Sequence, residues 1–162
     1  MRIIPKKRRA ENKTNYTKRR KLLEGGKPRI VVRKTNRYIT IEYIESRQAQ
    51  DSVRAYSNSK ELLEQGWPKE KSGSLKSLGA AYLTGLMFGN KIKSFAPAIL
   101  DTGIIRSTKG SKIYAAVKGI IDSSYKIKCG EEVIPSPERI NSANLKEFFD
   151  KVKANLSKGG KK

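Results

Sequence analysis

The hydrophobic pattern of this chain changes its period once, and that change limits the folds that the chain can adopt. Between residues 29 and 57, apolar side chains largely alternate with polar ones or form short β-branched runs, which is typical of β-strands. After residue 74 they recur every three to four positions, which is typical of helices. Strands followed by a helix, a further strand and a second helix indicate an α/β fold with a mixed sheet.

Four strands are predicted from runs bounded by turn residues. The first three lie at 29–34, 38–44 and 52–57, and we expect them to form an antiparallel meander. A fourth short strand at 98–100 follows Pro97. Because a helix precedes this strand, we expect a parallel crossover connection within the same sheet.

Two helices are predicted over about 74–93 and 111–125. In the first, Gly85 and Gly89 are four residues apart and lie on one face, which predicts close approach of another backbone. The second has an apolar stripe that consists of Ile113, Val117, Ile120 and Ile121. These helices are expected to pack on the sheet.

The C-terminal part predicts one more helix. The stretch from Pro135 to Pro137 is expected to be non-helical. Asn144 and Glu147 then have the spacing of a capping box. The apolar stripe of this helix contains Leu145, Phe148, Phe149, Val152 and Leu156. A lysine-rich tail is expected to follow it.

Positive charge is concentrated at the N-terminal end. The 162 residues include 36 Lys and Arg against 15 Asp and Glu, a formal charge of +21. Residues 1–37 hold 15 of those 36 cations and only two carboxylates. Self-repulsion on this scale opposes a compact state unless a polyanion neutralises it, which disfavours an ordinary metabolic enzyme. We therefore divide the chain into a basic RNA-binding extension (1–27), an α/β core (28–130) and a C-terminal arm (131–162).

The extension is predicted to bind a phosphate backbone and to become ordered along it. Its candidate RNA-binding side chains are Lys6, Lys7, Arg8, Arg9, Lys13, Tyr16, Lys18, Arg19, Arg20 and Lys21, with Tyr16 as a possible stacking ring. The alternatives are a solvated, disordered tail or a nuclear localisation signal. The segment has no apolar face for a membrane surface, and no stretch of the chain is apolar enough to span one.

The first hairpin and a later turn are the other candidate sites. The hairpin residues are Arg29, Arg33, Lys34, Asn36, Arg37 and Tyr38, which suit RNA but also a charged strand edge that resists aggregation. The turn residues are Arg106, Lys109, Gly110, Ser111 and Lys112. They lack the spacing of a nucleotide-binding P-loop. A helix start capped by Ser111 beside several cations still predicts a phosphate contact, with a plain capped turn as the alternative.

Catalytic residues are scarce. The chain has no His and one cysteine, Cys129, which excludes His-dependent triads, His-ligated metals and an internal disulfide. Ribonuclease H-like nucleases, whose sheet begins similarly, need several acids around two metal ions. The strand at 29–34 has none, and Asp101 and Asp122 have no third acid to join them. We expect no cofactor, no metal and no enzymatic activity, with a metal-dependent nuclease as the disfavoured alternative.

Four ordered blocks of sequence resemble the universal large-subunit ribosomal protein family eighteen, in its archaeal and eukaryotic branch and most closely in its archaeal form. They are GKPRIVVRKTNRYI at 26–39, AYLTGL at 81–86, LDTG at 100–103 and TKGSKIYA at 108–115. The resemblance covers about residues 5–130. It implies a ribonuclease H-like scaffold without the catalytic acids.

The resemblance also implies a function and partners. Family members bind 5S ribosomal RNA, so we expect this chain to anchor it to the large ribosomal RNA in the central protuberance, beside neighbouring large-subunit proteins. The implied contacts fall on Arg29, Arg33, Lys34, Asn36 and Arg37, and on the turn from Lys109 to Lys112. We expect a location in the cytoplasmic ribosome, and no small-molecule substrate. A general basic chaperone or chromatin-type protein is the remaining rival.

Overall fold

A four-stranded mixed sheet forms the centre of the protein. The computed structural model describes residues 4–48, 50–141 and 145–159, without the side chains of 157–159. Its strands are β1 (Arg29–Lys34), β2 (Ile39–Arg47), β3 (Gln50–Asn58) and β4 (Ile99–Asp101). Their order is β3-β2-β1-β4, with β1 antiparallel to β2, β2 antiparallel to β3, and β4 parallel to β1. The predicted α/β class and the mixed sheet are confirmed.

Six helices accompany the sheet within the described residues. They are α1 (Lys7–Ala10), α2 (Tyr16–Glu24), α3 (Leu78–Lys91), α4 (Lys112–Asp122), α5 (Pro137–Ile140) and α6 (Lys146–Gly159). Three short 3₁₀ helices lie at Ser59–Leu63, Lys69–Ser74 and Glu131–Val133. The first long helix begins later than predicted, because the Ser77 hydroxyl accepts a hydrogen bond from the Ala80 amide and so caps the helix there.

One face of the sheet carries the main core. Its central side chains are almost fully buried: Ile30, Val32, Ile39, Ile41 and Tyr43. Helix α3 packs on β2 and β3, and α4 packs on β1. The predicted stripe of α4 is confirmed in Ile113, Val117 and Ile120, all of which are buried. This packing fixes the start of α4 relative to the end of β1.

Helices α3 and α4 cross where their glycines lie. A Cβ at Gly85 would overlap the Ala116 carbonyl oxygen, and one at Gly119 would overlap the Tyr82 carbonyl oxygen. A Cβ at Gly89 would overlap the Ser123 hydroxyl. The predicted close approach of a second backbone is confirmed, and the partner is helix α4.

The C-terminal arm folds back onto α3. Phe149, Val152 and Leu156 are buried, and α6 contacts α3. The expectation of a non-helical stretch up to Pro137 is wrong, because Pro137 occupies the first turn of α5, where its missing N–H costs no hydrogen bond. The predicted capping residue Asn144 and the tail at 160–162 lie outside the described residues.

Helix α2 lies over the opposite face of the sheet. Leu22 lines a cleft of about 230 Å³ together with Val31 and Ile44 of that face. The Asn15 side chain accepts a hydrogen bond from the Lys18 amide and caps α2 at its start. The sequence alone indicated an arm that becomes ordered only along RNA, whereas the structure has part of it helical and seated on the sheet.

Candidate nucleic-acid interface

Candidate residues at the end of β1 and at the start of α4 lie close together, and Lys18 of the arm contacts the loop that follows β4. Because β4 is parallel to β1, the carboxyl ends of both strands point to the same edge of the sheet, although β4 ends opposite Val31 and β1 continues to Lys34. Arg33 and Lys34 end β1, and the loop after Asp101 leads from β4 towards the start of α4. This edge is where α/β sheets commonly bind ligands.

Arg29 is the one predicted RNA-binding residue that the sheet buries. It is 2% exposed. Its guanidinium lies 2.7 Å from Asp51 Oδ1 and 3.2 Å from Asp101 Oδ2, and it donates a 3.0 Å hydrogen bond to the Ser46 hydroxyl. An arginine enclosed by two carboxylates stabilises the sheet and presents no donors to an outside phosphate. We therefore leave Arg29 out of the interface.

The Asp101 carboxylate is paired with two arginines and a backbone amide. It is 6% exposed, and its Oδ1 accepts a 2.7 Å hydrogen bond from the Gly103 amide. Besides Arg29, the Arg33 guanidinium lies 3.5 Å from its carboxylate and donates to its carbonyl at 2.9 Å. No group of three or more potential metal ligands occurs in the part of the chain that the structure describes.

Polar contacts hold α2 on the sheet. Lys18 Nζ donates to Thr102 Oγ1 at 3.2 Å and to the Gly103 carbonyl at 3.0 Å. Arg19 forms a 2.9 Å ion pair with Asp51. Burial would raise the pKa of Asp51, but the Ser46 hydrogen bond and the charges of Arg29 and Arg19 outweigh it and lower that pKa. The basic arm is thus joined to the sheet by an ionised carboxylate.

Some cations of the arm form ion pairs or hydrogen bonds within the protein, and others have no carboxylate partner among the described residues. Lys13 pairs with Glu11 at 2.8 Å, and Arg20 pairs with Glu24 at 2.6 Å. Arg8 donates to the Thr14 hydroxyl at 3.0 Å. The side chains without a carboxylate at ion-pair distance among the described residues include Lys7, Arg9 and Lys21.

The candidate aromatic rings are only partly available. Lys6 Nζ lies 4.9 Å from the centre of the half-buried Tyr16 ring, which is therefore covered on one side. Tyr38 is half-buried against the core, and its amide and carbonyl both bond to the Thr35 hydroxyl. Asn36 and Arg37, which lie between Thr35 and Tyr38 in the hairpin turn, are exposed. The turn therefore presents an amide and a guanidinium rather than a free ring.

The turn before α4 contains a glycine with positive φ and lacks the side-chain cap that the sequence predicted. Gly110 has φ of +67°, a region that side chains with a Cβ rarely adopt. Ser111 occupies the N-cap position, but its hydroxyl makes no capping hydrogen bond and is buried without a partner. The prediction that Ser111 caps the helix through its side chain is wrong. Lys109 pairs with Glu132 at 3.4 Å, and Arg106 is exposed.

Lys112 lies among other cations at this turn. Burial, and then the charges of Lys34 and Lys76, lower the pKa of Lys112. Like charges that depress a lysine pKa form a region of positive potential that a phosphate would relieve. Lys34, at the end of β1, thus extends this region of positive charge from the turn before α4 to the hairpin.

These features define a class of protein. The scaffold is a strongly basic α/β fold in which Lys34 and Lys112 lie close together without an acidic partner among the described residues, and the buried acid Asp101 is held by two arginines. Such a scaffold suits a structural protein that contacts a polyanion. Comparison with known proteins then identifies the family.

A sequence model of the family described as ribosomal large subunit proteins 60S L5 and 50S L18 matches residues 3–96. The chain is 43% identical over 148 residues to large ribosomal subunit protein uL18 of Korarchaeum cryptofilum, spanning 90% of this chain and 74% of that protein. It is 40% identical to the uL18 protein of Methanoculleus marisnigri, again over 148 residues, which are 90% of this chain and 82% of that protein. The chain belongs to this family and is of the archaeal type.

Membership in this family settles the broad role. The chain is a structural component of the large ribosomal subunit, located in the ribosome in the cytoplasm, and not an enzyme. The nuclease alternative is thereby contradicted. None of the described helices is long and apolar enough to cross a membrane.

Proposed function

We propose that this chain binds 5S ribosomal RNA and helps to anchor it to the large ribosomal RNA in the central protuberance. The observation that carries the proposal is the edge at the carboxyl ends of β1 and β4. There Lys18 of the basic arm contacts the loop that follows β4, and Lys34 at the end of the first hairpin strand lies close to Lys112, with no carboxylate paired to Lys34 or Lys112 among the described residues.

The proposed contacts divide into two kinds. Lys7, Arg9 and Lys21 on the arm would neutralise phosphates, which positions the protein without reading a sequence. Asn36 and Arg37 project from a hairpin in which every residue of β1 is paired with β2, so they hold fixed positions. Fixed donors suit the shape and exposed bases of a folded RNA. The hairpin is therefore the proposed source of preference for 5S ribosomal RNA.

The proposed interface includes the other exposed or half-exposed candidates. They are Lys6, Arg8, Lys13, Tyr16, Lys18, Arg19, Arg20, Arg33, Lys34, Tyr38, Arg106, Lys109, Ser111 and Lys112, together with the buried Gly110, whose backbone shapes the turn before α4. The protein partners would be neighbouring large-subunit proteins of the central protuberance. The sheet order and the parallel crossover are compatible with a ribonuclease H-like scaffold, which is the fold that we propose.

Competition binding tests this function. The purified chain is titrated into labelled 5S ribosomal RNA at moderate salt, with unlabelled tRNA or duplex DNA as competitor. We expect 5S ribosomal RNA to be displaced only by a large excess of either. Equal competition by all three nucleic acids would instead support a general basic protein and overturn the proposal.

A further inference from the structure

A cationic cavity lies where the end of β1, the start of α4 and the C-terminal arm meet. It has a volume of about 400 Å³ and is lined by the polar side chains Lys34, Arg106, Ser111, Lys112 and Arg139. Leu78, Ile105 and Ile113 also line it. Three segments distant in sequence thus contribute cations to one volume.

The cations of this cavity have no internal counter-charge. No carboxylate of the described residues forms an ion pair with Lys34, Arg106, Lys112 or Arg139. Lys112 itself is only partly exposed, and Lys34 and Lys76 are close enough to lower its pKa. Cations held together without an acid raise the energy of the free protein, and an anion would remove that cost.

The cavity also contains hydrogen-bond donors that have no partner among the described residues. The first amides of α4 have no partner within the helix, and no side chain caps them. The Ser111 hydroxyl, which lines the cavity, is buried without a hydrogen-bond partner. A hydroxyl that is not committed within the protein can donate to an anion bound at the N-terminus of the helix.

The C-terminal arm completes the cavity. The Arg139 guanidinium lies against Gly110, where a Cβ would be only 2.6 Å from Nη1. The Gly110 amide donates a 2.9 Å hydrogen bond to the Val133 carbonyl, and Lys109 pairs with Glu132. The segment from Glu131 to Ile140 therefore holds the turn in place and adds a cation to it.

We propose that this cavity binds one phosphate group of the RNA backbone, with Lys112, Arg139 and Ser111 as the donors nearest to it. Lys34, Lys76 and Arg106 supply the surrounding positive potential. The C-terminal arm is then part of the RNA interface and not only packing for α3. The inference rests on the proposed function for the source of the phosphate, since RNA is the polyanion that the interface would face.

Inorganic phosphate is the first probe, because it tests the cavity without RNA. The full chain, labelled with ¹⁵N, is titrated with sodium phosphate against sodium chloride of equal ionic strength. We expect saturable shifts of the Ser111, Lys112 and Ile113 amide signals with phosphate alone. Lys112→Gln and Arg139→Gln should abolish them, whereas Lys118→Gln, which removes a lysine paired with Asp122 on the same helix, should not. Shifts that persist in both cavity variants overturn the proposal.

Affinity for 5S ribosomal RNA is the second readout. Arg139→Gln should weaken binding about tenfold, as for loss of a hydrogen bond to a charged group. It should also reduce the slope of log affinity against log salt by roughly 0.7–0.9, the effect of one phosphate that is no longer neutralised. The matched control is Arg54→Gln, which removes the same charge from β3, where Arg54 pairs with Glu45. Equal effects of the two arginine variants would overturn the proposal.

The two proposals can fail separately. If the parent chain prefers 5S ribosomal RNA no more than tRNA, the proposed function is wrong, yet the phosphate titration still decides the cavity. If the parent prefers 5S ribosomal RNA but the cavity variants bind it like the parent, only the cavity proposal is wrong. Melting temperatures of all four variants identify any loss of binding that comes from unfolding.

Discussion

Asp51 joins the basic arm, β1 and β3 through one carboxylate. Its oxygens lie 2.7 Å from Arg29 and 2.9 Å from Arg19, and Ser46 donates to it at 2.6 Å. We expect Asp51→Asn to lower the melting temperature at neutral pH, because two arginines lose their counter-charge. The exposed Asp150→Asn, on α6, is the control with the same change of charge.

The effect of Asp51→Asn should depend on pH in one direction. The pKa of Asp51 is lowered from its ordinary value of 3.8 in the folded protein. A lowered folded pKa contributes stability above the unfolded pKa, and that stability is lost as the pH falls through the folded value. The difference in melting temperature between parent and variant should therefore shrink below about pH 4. A gap that stays constant down to about pH 2 would contradict this account.

Arg37 tests whether the hairpin turn carries RNA preference. The residue is exposed, and no carboxylate of the described chain pairs with it. Arg37→Ala should reduce the free energy of binding to 5S ribosomal RNA by roughly 1.5 kcal/mol and affect tRNA less. The control is Lys7→Ala on the arm, which should weaken both RNAs alike. If both variants leave the ratio of the two affinities unchanged, the hairpin contributes charge alone.

Residue types were predictable from the sequence, but their burial was not. Charge and turn composition identified Arg29, Arg33 and Arg37 as equivalent candidates. The carboxylates that enclose Arg29 lie 22 and 72 residues away in the chain, so local pattern could not show the pairing. Arg139 was missed for the same reason, since it reaches Gly110 only through the fold.

Among the elements, the crossing of α3 and α4 is the most tightly constrained. A side chain at Gly119 would push against the Tyr82 carbonyl and the Leu86 amide of α3. Gly119→Ala should lower the free energy of unfolding by about 1–3 kcal/mol, as overpacking does. The control is Gly73→Ala, where nothing lies within 4 Å of the added carbon. Denaturant unfolding measures both, and equal stabilities would refute the close crossing.

Periodicity predicted the long elements because it is a local property of the sequence. The strands of the hairpin and the stripe of α4 follow directly from it. Helix α2 was missed because its residues are mostly polar and give no apolar stripe. That helix depends on the Asn15 cap and on contacts with Asp51 and Gly103, which only the folded chain supplies.

For the whole molecule, the arm should contribute affinity without discrimination. Replacing Lys6, Lys7, Arg8 and Arg9 together by Gln should weaken 5S ribosomal RNA and tRNA to a similar degree. The salt dependence should flatten by roughly 0.7–0.9 in slope for each phosphate that the arm no longer neutralises. Filter binding at several salt concentrations measures both quantities. A selective loss for 5S ribosomal RNA would place specificity in the arm instead.

Docking of α2 should also be visible without RNA. Trypsin is expected to cut rapidly around α1, where the cations are exposed, and more slowly within α2, which contacts the sheet through Lys18 and Arg19. Asp51→Asn should accelerate cleavage within α2 and leave cleavage at α1 unchanged. Cleavage of both helices at one rate in the parent chain would show an arm that is free until RNA binds.

The seating of α2 on the sheet has a consequence for the order in which the chain is made. Translation releases the arm first, whereas Asp51 and Gly103, which hold it, are 32 and 85 residues further along than the arm residues they contact. Until both have emerged, the newborn segment is strongly cationic and has no docking site of its own. The last contacts of the arm therefore form only after β4 has been synthesised. Packing of α2 on the sheet thus indicates that all four strands have been made.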